Sequence, residues 1–414
     1  MFIDRIRGAE EKVEINAGLG VLEETAPLKK VLMWGEPGAE AVLGILLPTD
    51  ISHFQVPLDV HVAREEFQRS KKLIEANGVE VVQVKDLFAK MLLDQGCEAE
   101  EGIEDIRKRL IAKGLEYRER YPEVVSRDRD VNISGWPDWL NEALDEDVAK
   151  YGEKVAVRLN QQCSDRDGSW PLANLMYARD QSNLVRHTFI FSSMKHEIRR
   201  DEVDIYRSAL NYAGIINDPN IDIVSIKGEG RFEGGDGIVH DGIVYIGAGG
   251  RTNKEGILQL APSILKSGKR LLVPFDSERA TGKMDEMDAM HLDTFWMPIG
   301  PNEVVSCQTE SGRRELLEVV NSNGTLKFEN RGWFTNYMAK KNMDIVPLTK
   351  DEQEHYAPNF LNLGNGKIIL SLSEGNNLVN ELTKRGKTVM NADLKNITKG
   401  FGGLHCMTAA IKRG

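Results

Sequence analysis

Short runs of apolar, β-branched residues alternate with amphipathic segments along most of the chain. The run LKKVLMW (28–34) is typical of a strand, and residues 62–78 have the apolar spacing of a helix that ends at Gly78. The run VEVVQV (79–84) then predicts a second strand. Because strand, helix and strand follow one another, the pattern predicts an α/β protein.

The same alternation returns in the second half of the chain. Helices are predicted from Asp201 to about Tyr212, over 252–268 and near 378–385. The segment IVHDGIVYIG (238–247) predicts a hairpin. Further β-branched runs predict strands at 188–193, 221–226, 242–247, 270–274, 303–307, 342–346, 367–372 and 388–390.

Residues 87–170 differ from both halves, because they are heavily charged and have almost no strand signal. The run EAEEGIEDIRKRLIAKGLEYRERY (98–121) carries charge pairs at helical spacing. We interpret 87–170 as a helical insertion. No linker rich in Pro, Gly or Ser divides the remainder, so a single domain over 1–414 that contains this insertion is the simplest interpretation.

The overall charge excludes some classes of partner. The chain has 53 Lys and Arg against 64 Asp and Glu, a formal charge of -11, and lacks the basic stripes of a nucleic-acid binder. An acidic surface does not repel a cationic small molecule. The longest apolar run, AVLGILLP, is too short to span a membrane, and the start MFIDRIRGAEEKVE lacks a signal peptide. We therefore expect a cytoplasmic protein without nucleic-acid or membrane partners.

The cysteines and the glycine-rich stretch GEGRFEGGDG (228–237) do not match familiar cofactor motifs. The four cysteines, at 97, 163, 307 and 406, form no CxxC pair and have no His at metal-ligand spacing. The glycine-rich stretch matches neither a P-loop nor a dinucleotide fingerprint. Its glycines are expected to let the backbone turn and aim Glu233 and Asp236, although either acid alone is also typical of a solvated loop.

Three further segments place an acid or a thiol among apolar residues, next to a histidine or after glycines. In MHLDTF (290–295), a strand would place His291 and Asp293 on the same face as an orienting pair, and a histidine bonded within the core remains the alternative. The segment ARDQ (178–181) places another acid among apolar residues. Cys406 follows Gly402 and Gly403, which predicts a flexible turn presenting a thiol, and a small buried residue is the alternative.

Six motifs together resemble the arginine deiminases of the guanidine-modifying superfamily. The segments LKKVLMW and NFLNLGNGKIILSL extend the resemblance over most of the chain. It implies a five-bladed α/β propeller of the pentein type, with a helical insertion, whose acids and thiol converge on a central channel. The motifs are, in order, PLANLMYARD, EIRRDE, FEGGD, GRTN, MHLDTF and GGLHCMT.

The resemblance also implies the chemistry. Cys406 is the expected nucleophile and His291 the general acid and base, in a hydrolysis of L-arginine to L-citrulline and ammonia through a covalent thiouronium intermediate. Asp180, Glu233 and Asp293 are expected to accept hydrogen bonds from the planar guanidinium. The expected partner is a small-molecule guanidino substrate; neither a metal nor an organic cofactor is required, and a homo-oligomer is left open.

At the far end of the substrate, the resemblance assigns the amino-acid group to Asn174, Arg199 and Arg251. His405 is expected to shape the loop, and Asp236 to serve as a structural partner in its turn. In one departure, Phe401 stands where the family usually carries an arginine that closes over the substrate carboxylate. Two interpretations are open: Lys399 takes the place of that arginine, or the site accepts a different guanidino compound. Gln181, which follows Asp180, is a second departure.

Two other functions fit parts of the pattern. An amidinotransferase uses the same thiol intermediate but passes the amidino group to an amine; such enzymes generally have an aspartate where Glu233 stands and commonly lack the insertion. A non-catalytic guanidine-binding protein would not need the nucleophile, acid and base positions that are all retained here. A cysteine protease is disfavoured, because neither the typical sequence around the cysteine nor the His spacing is present.

Overall fold

The computed structural model describes residues 18–96, 101–126, 133–166, 169–266, 268–284, 287, 289–372 and 377–414. The amino-terminal stretch 1–17 and Cys97 lie outside the described residues. So do parts of the predicted insertion, at 97–100, 127–132 and 167–168, and residues 267, 285–286, 288 and 373–376. Among the described residues, every helix is too short or too polar to span a lipid bilayer.

The regular elements are short and are distributed over the whole described chain. The strands are β1 (Leu28–Met33), β2 (Glu80–Gln83), β3 (Ser182–Val185), β4 (Thr188–Phe191), β5 (Asp222–Ser225), β6 (Gly237–His240), β7 (Ile243–Ile246), β8 (Leu271–Phe275), β9 (Trp296–Gly300), β10 (Glu303–Cys307), β11 (Glu315–Ser322), β12 (Thr325–Trp333), β13 (Asp344–Leu348), β14 (Leu361–Gly364), β15 (Lys367–Leu370), β16 (Thr388–Asn391) and β17 (Ala409–Arg413). The helices are α1 (Ala39–Gly44), α2 (Thr49–Ser52), α3 (Val60–Ala76), α4 (Val84–Asp94), α5 (Ile103–Arg120), α6 (Trp136–Tyr151), α7 (Glu153–Cys163), α8 (Ala178–Gln181), α9 (Arg200–Tyr212), α10 (Lys254–Leu265), α11 (Ser277–Ala280), α12 (Gln308–Gly312), α13 (Phe334–Lys340), α14 (Lys350–Glu354) and α15 (Leu378–Lys384).

The strands form mixed sheets that share one connection pattern, and none of the sheets is closed. In each sheet an antiparallel pair is extended by a parallel strand, as in β3, β4 and β5. The orders are β17-β1-β2, β3-β4-β5, β12-β11-β8-β7-β6, β13-β10-β9 and β14-β15-β16. The α/β class predicted from the sequence is therefore present. Because a parallel strand needs a crossover connection, helices such as α3 and α10 lie between the paired strands.

Two-residue turns explain several antiparallel pairs. The predicted hairpin over 238–247 is confirmed as β6 and β7, and its turn residues Asp241 and Gly242 have φ of 50° and 67°. Both central residues of a type I′ turn need positive φ, which Asp-Gly and Asn-Gly sequences tolerate. The pairs Asn323-Gly324 and Asn365-Gly366 have positive φ at the β11–β12 and β14–β15 turns.

Neighbouring sheets also touch one another. Strand β17 contacts β3, β3 contacts β6, and β1 contacts β14. The ring of His240 in β6 lies 6.0 Å from that of Trp296 in β9. Asn362 in β14 donates a hydrogen bond to the Pro298 carbonyl in β9 at 3.4 Å. Each sheet is thus in contact with two others.

Helices α4 to α7 occupy most of the predicted insertion and share one apolar core with β1 and β17. Helices α5 and α6 pack closely, because a Cβ at Gly114 would lie 2.5 Å from the Trp136 ring. A buried ion pair joins α4 to α6, with Lys85 Nζ 2.7 Å from Asp147 Oδ1. Burial disfavours the charge, but Asp147 and Glu40 together raise the pKa of Lys85 above its usual value.

Candidate active site

Cys406 lies in the loop that leads into β17 and is buried. The Asn359 side chain holds this loop, because its Oδ1 accepts hydrogen bonds from the backbone N–H of Gly403 at 3.0 Å and of Cys406 at 3.1 Å. Asn359 Nδ2 lies 3.2 Å from Cys406 Sγ and donates to it. A Cβ at Gly402 would lie 2.6 Å from the Tyr177 ring. The glycines therefore permit close packing, and the predicted turn is present at residues 404–407 with its thiol buried.

Asp293 is the carboxylate nearest to the thiol. Its Oδ2 lies 3.8 Å from Cys406 Sγ and 2.6 Å from His405 Nδ1. The sequence neighbours His405 and Cys406 thus contact the same carboxylate oxygen. Burial and the negative charges of Asp293 and Asp180 raise the pKa of the Cys406 thiol well above its usual value. Without a bound cation, Cys406 is therefore a neutral thiol at neutral pH.

This electrostatic setting predicts how Cys406 reacts with an alkylating reagent. Because only the thiolate reacts, the rate of Cys406 modification by iodoacetamide should rise about tenfold per pH unit. The rise should continue past pH 9.0, the ordinary value for the thiol. Peptide mapping by mass spectrometry measures the rate at Cys406 separately from the other cysteines. A plateau below pH 9.0 would contradict this charge distribution.

His291 contacts two of the predicted acids. Its Nε2 lies 2.9 Å from Glu233 Oε2, and its Nδ1 lies 3.7 Å from Asp180 Oδ1. All three side chains are buried. Burial disfavours the charged ring, but the hydrogen bond to Glu233 and the charges of Asp180 and Asp236 raise the pKa of His291 to about 9. His291 is therefore an imidazolium at neutral pH and can donate a proton.

The backbone of α8 connects the surroundings of Cys406 to those of His291. The Arg179 N–H donates to the Cys406 carbonyl at 3.0 Å, and Asp180 follows Arg179 directly. The Arg179 Nε also donates to the carbonyls of His405 at 3.3 Å and Thr408 at 2.9 Å. The predicted nucleophile, base and acids therefore belong to one buried network.

The predicted strand at MHLDTF is wrong, and so is the predicted orienting pair. Residues Leu292–Thr294 form a 3₁₀ turn. His291 consequently contacts the two acids named above, whereas Asp293 contacts the thiol loop. One long-range and one local hydrogen bond stabilise the turn: Asp236 Oδ1 accepts from the Leu292 N–H at 2.9 Å, and Thr294 Oγ1 donates to the His291 carbonyl at 2.7 Å.

The glycine-rich segment brings Glu233 and Asp236 into the core instead of leaving them solvated. Glu233 is 0% exposed and Asp236 is 3% exposed. A Cβ at Gly235 would lie 2.7 Å from His291 Nδ1, and one at Gly234 would overlap the Arg179 carbonyl oxygen. These glycines thus permit close approach. Burial is the largest influence on Asp236 and raises its pKa to about 7.

Replacing Glu233 should change the titration of His291. In Glu233→Gln, the ring loses a negative partner, so its pKa should fall by about one unit or more. A group whose pKa is raised by folding stabilises the fold below its unfolded value. For His291 this stabilisation is therefore complete below 6.5 and lost as pH rises through about 9. NMR titration of the His291 Cε1–H would measure the shift, and an unchanged midpoint would contradict the assigned pairing.

Arg199 and Glu202 explain the unexpected Gln181. Arg199 places Nη1 2.9 Å from Asp180 Oδ2 and Nη2 3.0 Å from Glu202 Oε2. Gln181 Nε2 donates to Glu202 Oε2 at 2.8 Å and to the Asn174 carbonyl at 3.1 Å. Gln181 therefore holds the acid that orients Arg199.

Arg251 contacts Glu233 as Arg199 contacts Asp180, with Arg251 Nη1 3.4 Å from Glu233 Oε2. Burial alone would raise the pKa of Glu233, but the charges of Arg251 and His291 hold it well below its usual range. A cavity of about 420 Å³ includes Arg251, Lys195 and Lys254 in its lining. The arginines predicted to bind one end of a substrate thus contact the acids predicted to bind the other end.

Three residues that organise the site had no role predicted from the sequence: Asn359, Glu202 and Glu24. The segments NFLNLGNGKIILSL and EIRRDE contain the first two, so the motifs included them without assigning a role. Glu24 Oε1 lies 3.5 Å from His405 Nε2 and had no signal in the sequence. Among the described residues, no group of three His, Cys, Asp or Glu is arranged to hold a metal ion.

Relatives of known sequence cover nearly the whole chain. The arginine deiminase family model matches residues 53–413. The arginine deiminase of Limosilactobacillus reuteri (strain DSM 20016) is 22% identical over 440 residues, which cover 95% of this chain and 97% of that protein. The uncharacterized protein YkgA of Bacillus subtilis (strain 168) is 27% identical over 251 residues, 60% of this chain and 72% of that protein.

Solved structures of the pentein type share the fold at low sequence identity. The product-bound N-terminal domain of ArgZ, an arginine dihydrolase of cyanobacteria, has a TM-score of 0.55 at 14% identity and covers 93% of this chain and 97% of that chain. A DDAH from Pseudomonas aeruginosa complexed with citrulline has a TM-score of 0.54 at 14% identity, covering 93% and 99%. By its match over residues 53–413, this chain belongs to the arginine deiminase family of guanidino-group hydrolases.

Proposed function

We propose that this protein is a cysteine-dependent hydrolase that converts L-arginine and water into L-citrulline and ammonia. The observation that carries the proposal is the buried network in which Cys406, His291 and their carboxylate partners meet. A thiol, an acid–base group and acceptors for a planar cation are the groups that guanidine hydrolysis needs. Membership of the family supports the same reaction.

The carboxylates bind the guanidinium group of the substrate. Asp180, Glu233 and Asp293 offer oxygens to a planar fork of N–H donors. In the structure, Arg199 and Arg251 contact two of these acids through their own guanidinium groups. The substrate therefore takes over contacts that the protein makes internally, and the two arginines become available for its carboxylate.

Substrate binding also activates the nucleophile. The raised pKa of Cys406 has its origin in burial and two negative charges, and a guanidinium placed among them offsets both charges. The thiol then loses its proton to solvent, and the thiolate attacks the guanidinium carbon. A C–S bond forms and the C–N bond to the terminal nitrogen breaks, which leaves a covalent thiouronium.

His291 serves both halves of the reaction. As an imidazolium, it gives its proton to the departing nitrogen, which leaves as ammonia. The neutral ring then takes a proton from water, and the resulting hydroxide attacks the thiouronium carbon. A C–O bond forms, the C–S bond breaks, the remaining hydroxyl proton passes to solvent, and citrulline departs from the regenerated thiolate.

In this proposal, the amino-acid end of the substrate is bound by Asn174, Arg199 and Arg251. Asn174 is fixed near the site, since its Nδ2 donates to the Ser52 carbonyl at 2.8 Å. Phe401 adopts a left-handed conformation with φ of 63° at the end of a 3₁₀ helix. Without an arginine at this position, the other two arginines carry the recognition of the carboxylate.

We also propose that the five sheets are the blades of an α/β propeller within one domain, with α4 to α7 as its insertion. The contacts between successive sheets support this arrangement, because each sheet touches two others in a cycle. A ring of blades places the loops at one end of each sheet around a common centre, which explains how distant segments supply one site.

Guanidino-labelled arginine tests the function. The purified protein should release ammonia and citrulline without any added amine. Formation of ornithine only when an acceptor amine is present would identify an amidinotransferase instead. Binding without turnover would identify a guanidine-binding protein. A parallel screen of agmatine, canavanine and methylated arginines for ammonia release would define the substrate range.

A further inference from the structure

His53 is a buried histidine beside the proposed substrate site that the mechanism above does not use. It is 5% exposed, and its Nε2 has no hydrogen-bond partner among the residues that the structure describes. A buried polar atom without a partner costs free energy unless a ligand or water satisfies it. His53 therefore requires an explanation.

The surroundings of His53 belong to the proposed binding site. The preceding residue, Ser52, accepts the hydrogen bond from Asn174, and Gln55 donates its N–H to the Lys399 carbonyl at 2.8 Å. The His53 ring lies 4.4 Å from the ring of His196. The charges of Arg251 and Arg199 act directly on it. His53 thus lies where the amino-acid end of a substrate is expected.

The backbone at His53 supports a role for its side chain. His53 ends helix α2 in the left-handed conformation, with φ of 54° and ψ of 31°. Glycine or asparagine usually occupies such a position, because a Cβ is disfavoured there. A large side chain is therefore retained at a position that smaller residues usually occupy.

Resting on the proposed function, we propose that His53 is a specificity-determining residue whose Nε2 accepts a hydrogen bond from the α-ammonium group of the substrate. The two charges of an amino acid need different partners: Arg199 and Arg251 suit the carboxylate, whereas the ammonium needs an acceptor that is not cationic. Burial and the charge of Arg251 lower the pKa of His53 to about 2, so the ring stays neutral. The preferred substrate is then a guanidino compound with a free α-amino group.

The variants His53→Gln and His53→Asn distinguish a hydrogen bond to the substrate ammonium from a purely structural role of His53. Glutamine places a polar atom near the position of Nε2, whereas asparagine reaches only the position of Nδ1 and tolerates the left-handed backbone. Each is combined with Cys406→Ala, and binding is measured by calorimetry with L-arginine and with 5-guanidinopentanoic acid, which lacks the amine. His61→Asn, a change at an exposed histidine, is the matched control.

His53→Asn should weaken L-arginine binding by about 10- to 100-fold, the range for a hydrogen bond to a charged group. It should leave 5-guanidinopentanoic acid nearly unaffected, and His53→Gln should restore most of the affinity for arginine. Equal losses for both ligands, or no loss, would overturn the proposal, as would a failure of arginine to bind. The function itself is judged separately, by turnover of arginine in the unmodified protein.

Discussion

Cys406→Ala should lose the ability to form citrulline from arginine by on the order of 10⁴-fold or more, since removal of a covalent nucleophile removes the whole reaction path. The variant should still bind arginine, because the carboxylates that contact the guanidinium remain. Rates from a citrulline assay and affinity from calorimetry measure the two effects independently.

Cys307→Ala is the matched control for this experiment. Cys307 is also buried, but it lies at the end of β10, where its N–H donates to the Phe295 carbonyl at 2.9 Å. Its replacement should leave turnover within about twofold of the unmodified protein, as for a small core substitution. Comparable losses in both variants would mean that Cys406 acts only through packing and would reject the nucleophile assignment.

Lys85→Met should destabilise the fold by about 3–5 kcal/mol, the usual cost of leaving a buried charge without its partner. Asp147 is the charge left behind, and Lys85 and Asp147 have side chains only 7% and 6% exposed. The double variant Lys85→Met/Asp147→Leu should recover part of this loss, because the ion pair is then removed as a whole and only the buried Glu40 lacks the Lys85 charge. Urea unfolding provides the free energies of unfolding.

A surface ion pair provides the comparison. Lys71 and Glu75 lie 3.1 Å apart on α3, where solvent screens them. Lys71→Met should therefore change the free energy of unfolding by less than about 1 kcal/mol. If Lys85→Met behaved in the same way, or if the double variant were less stable than the single one, the pair would not be the buried link between α4 and α6 that the structure describes.

The sequence predicted those elements whose signals are local. The helix that ends before Gly78 and the hairpin with the Asp-Gly turn were both recognisable, because each depends on residues within a few positions. The predicted strand around His291 failed for a nonlocal reason. Asp236, 56 residues away, accepts the Leu292 N–H and stabilises a turn that no local pattern indicates.

The candidate site was predicted residue by residue only through the family motifs. Alternation and spacing could not show that Asn359 holds a loop 47 residues away, or that Glu24 lies against His405. They also could not distinguish a solvated Glu233 from one that is wholly buried. Such contacts arise from the packing of distant segments, so they become visible only in three dimensions.

The missing side chain at Gly235 has a consequence for variation at the genetic level. Every amino-acid replacement that a single base change can make in a glycine codon adds at least a methyl group. Even alanine there would bring a carbon within 2.7 Å of the His291 ring. We therefore expect the codon for residue 235 to tolerate silent changes only. Selection on this codon then acts through the lack of room for a side chain and not through a chemical role of the residue.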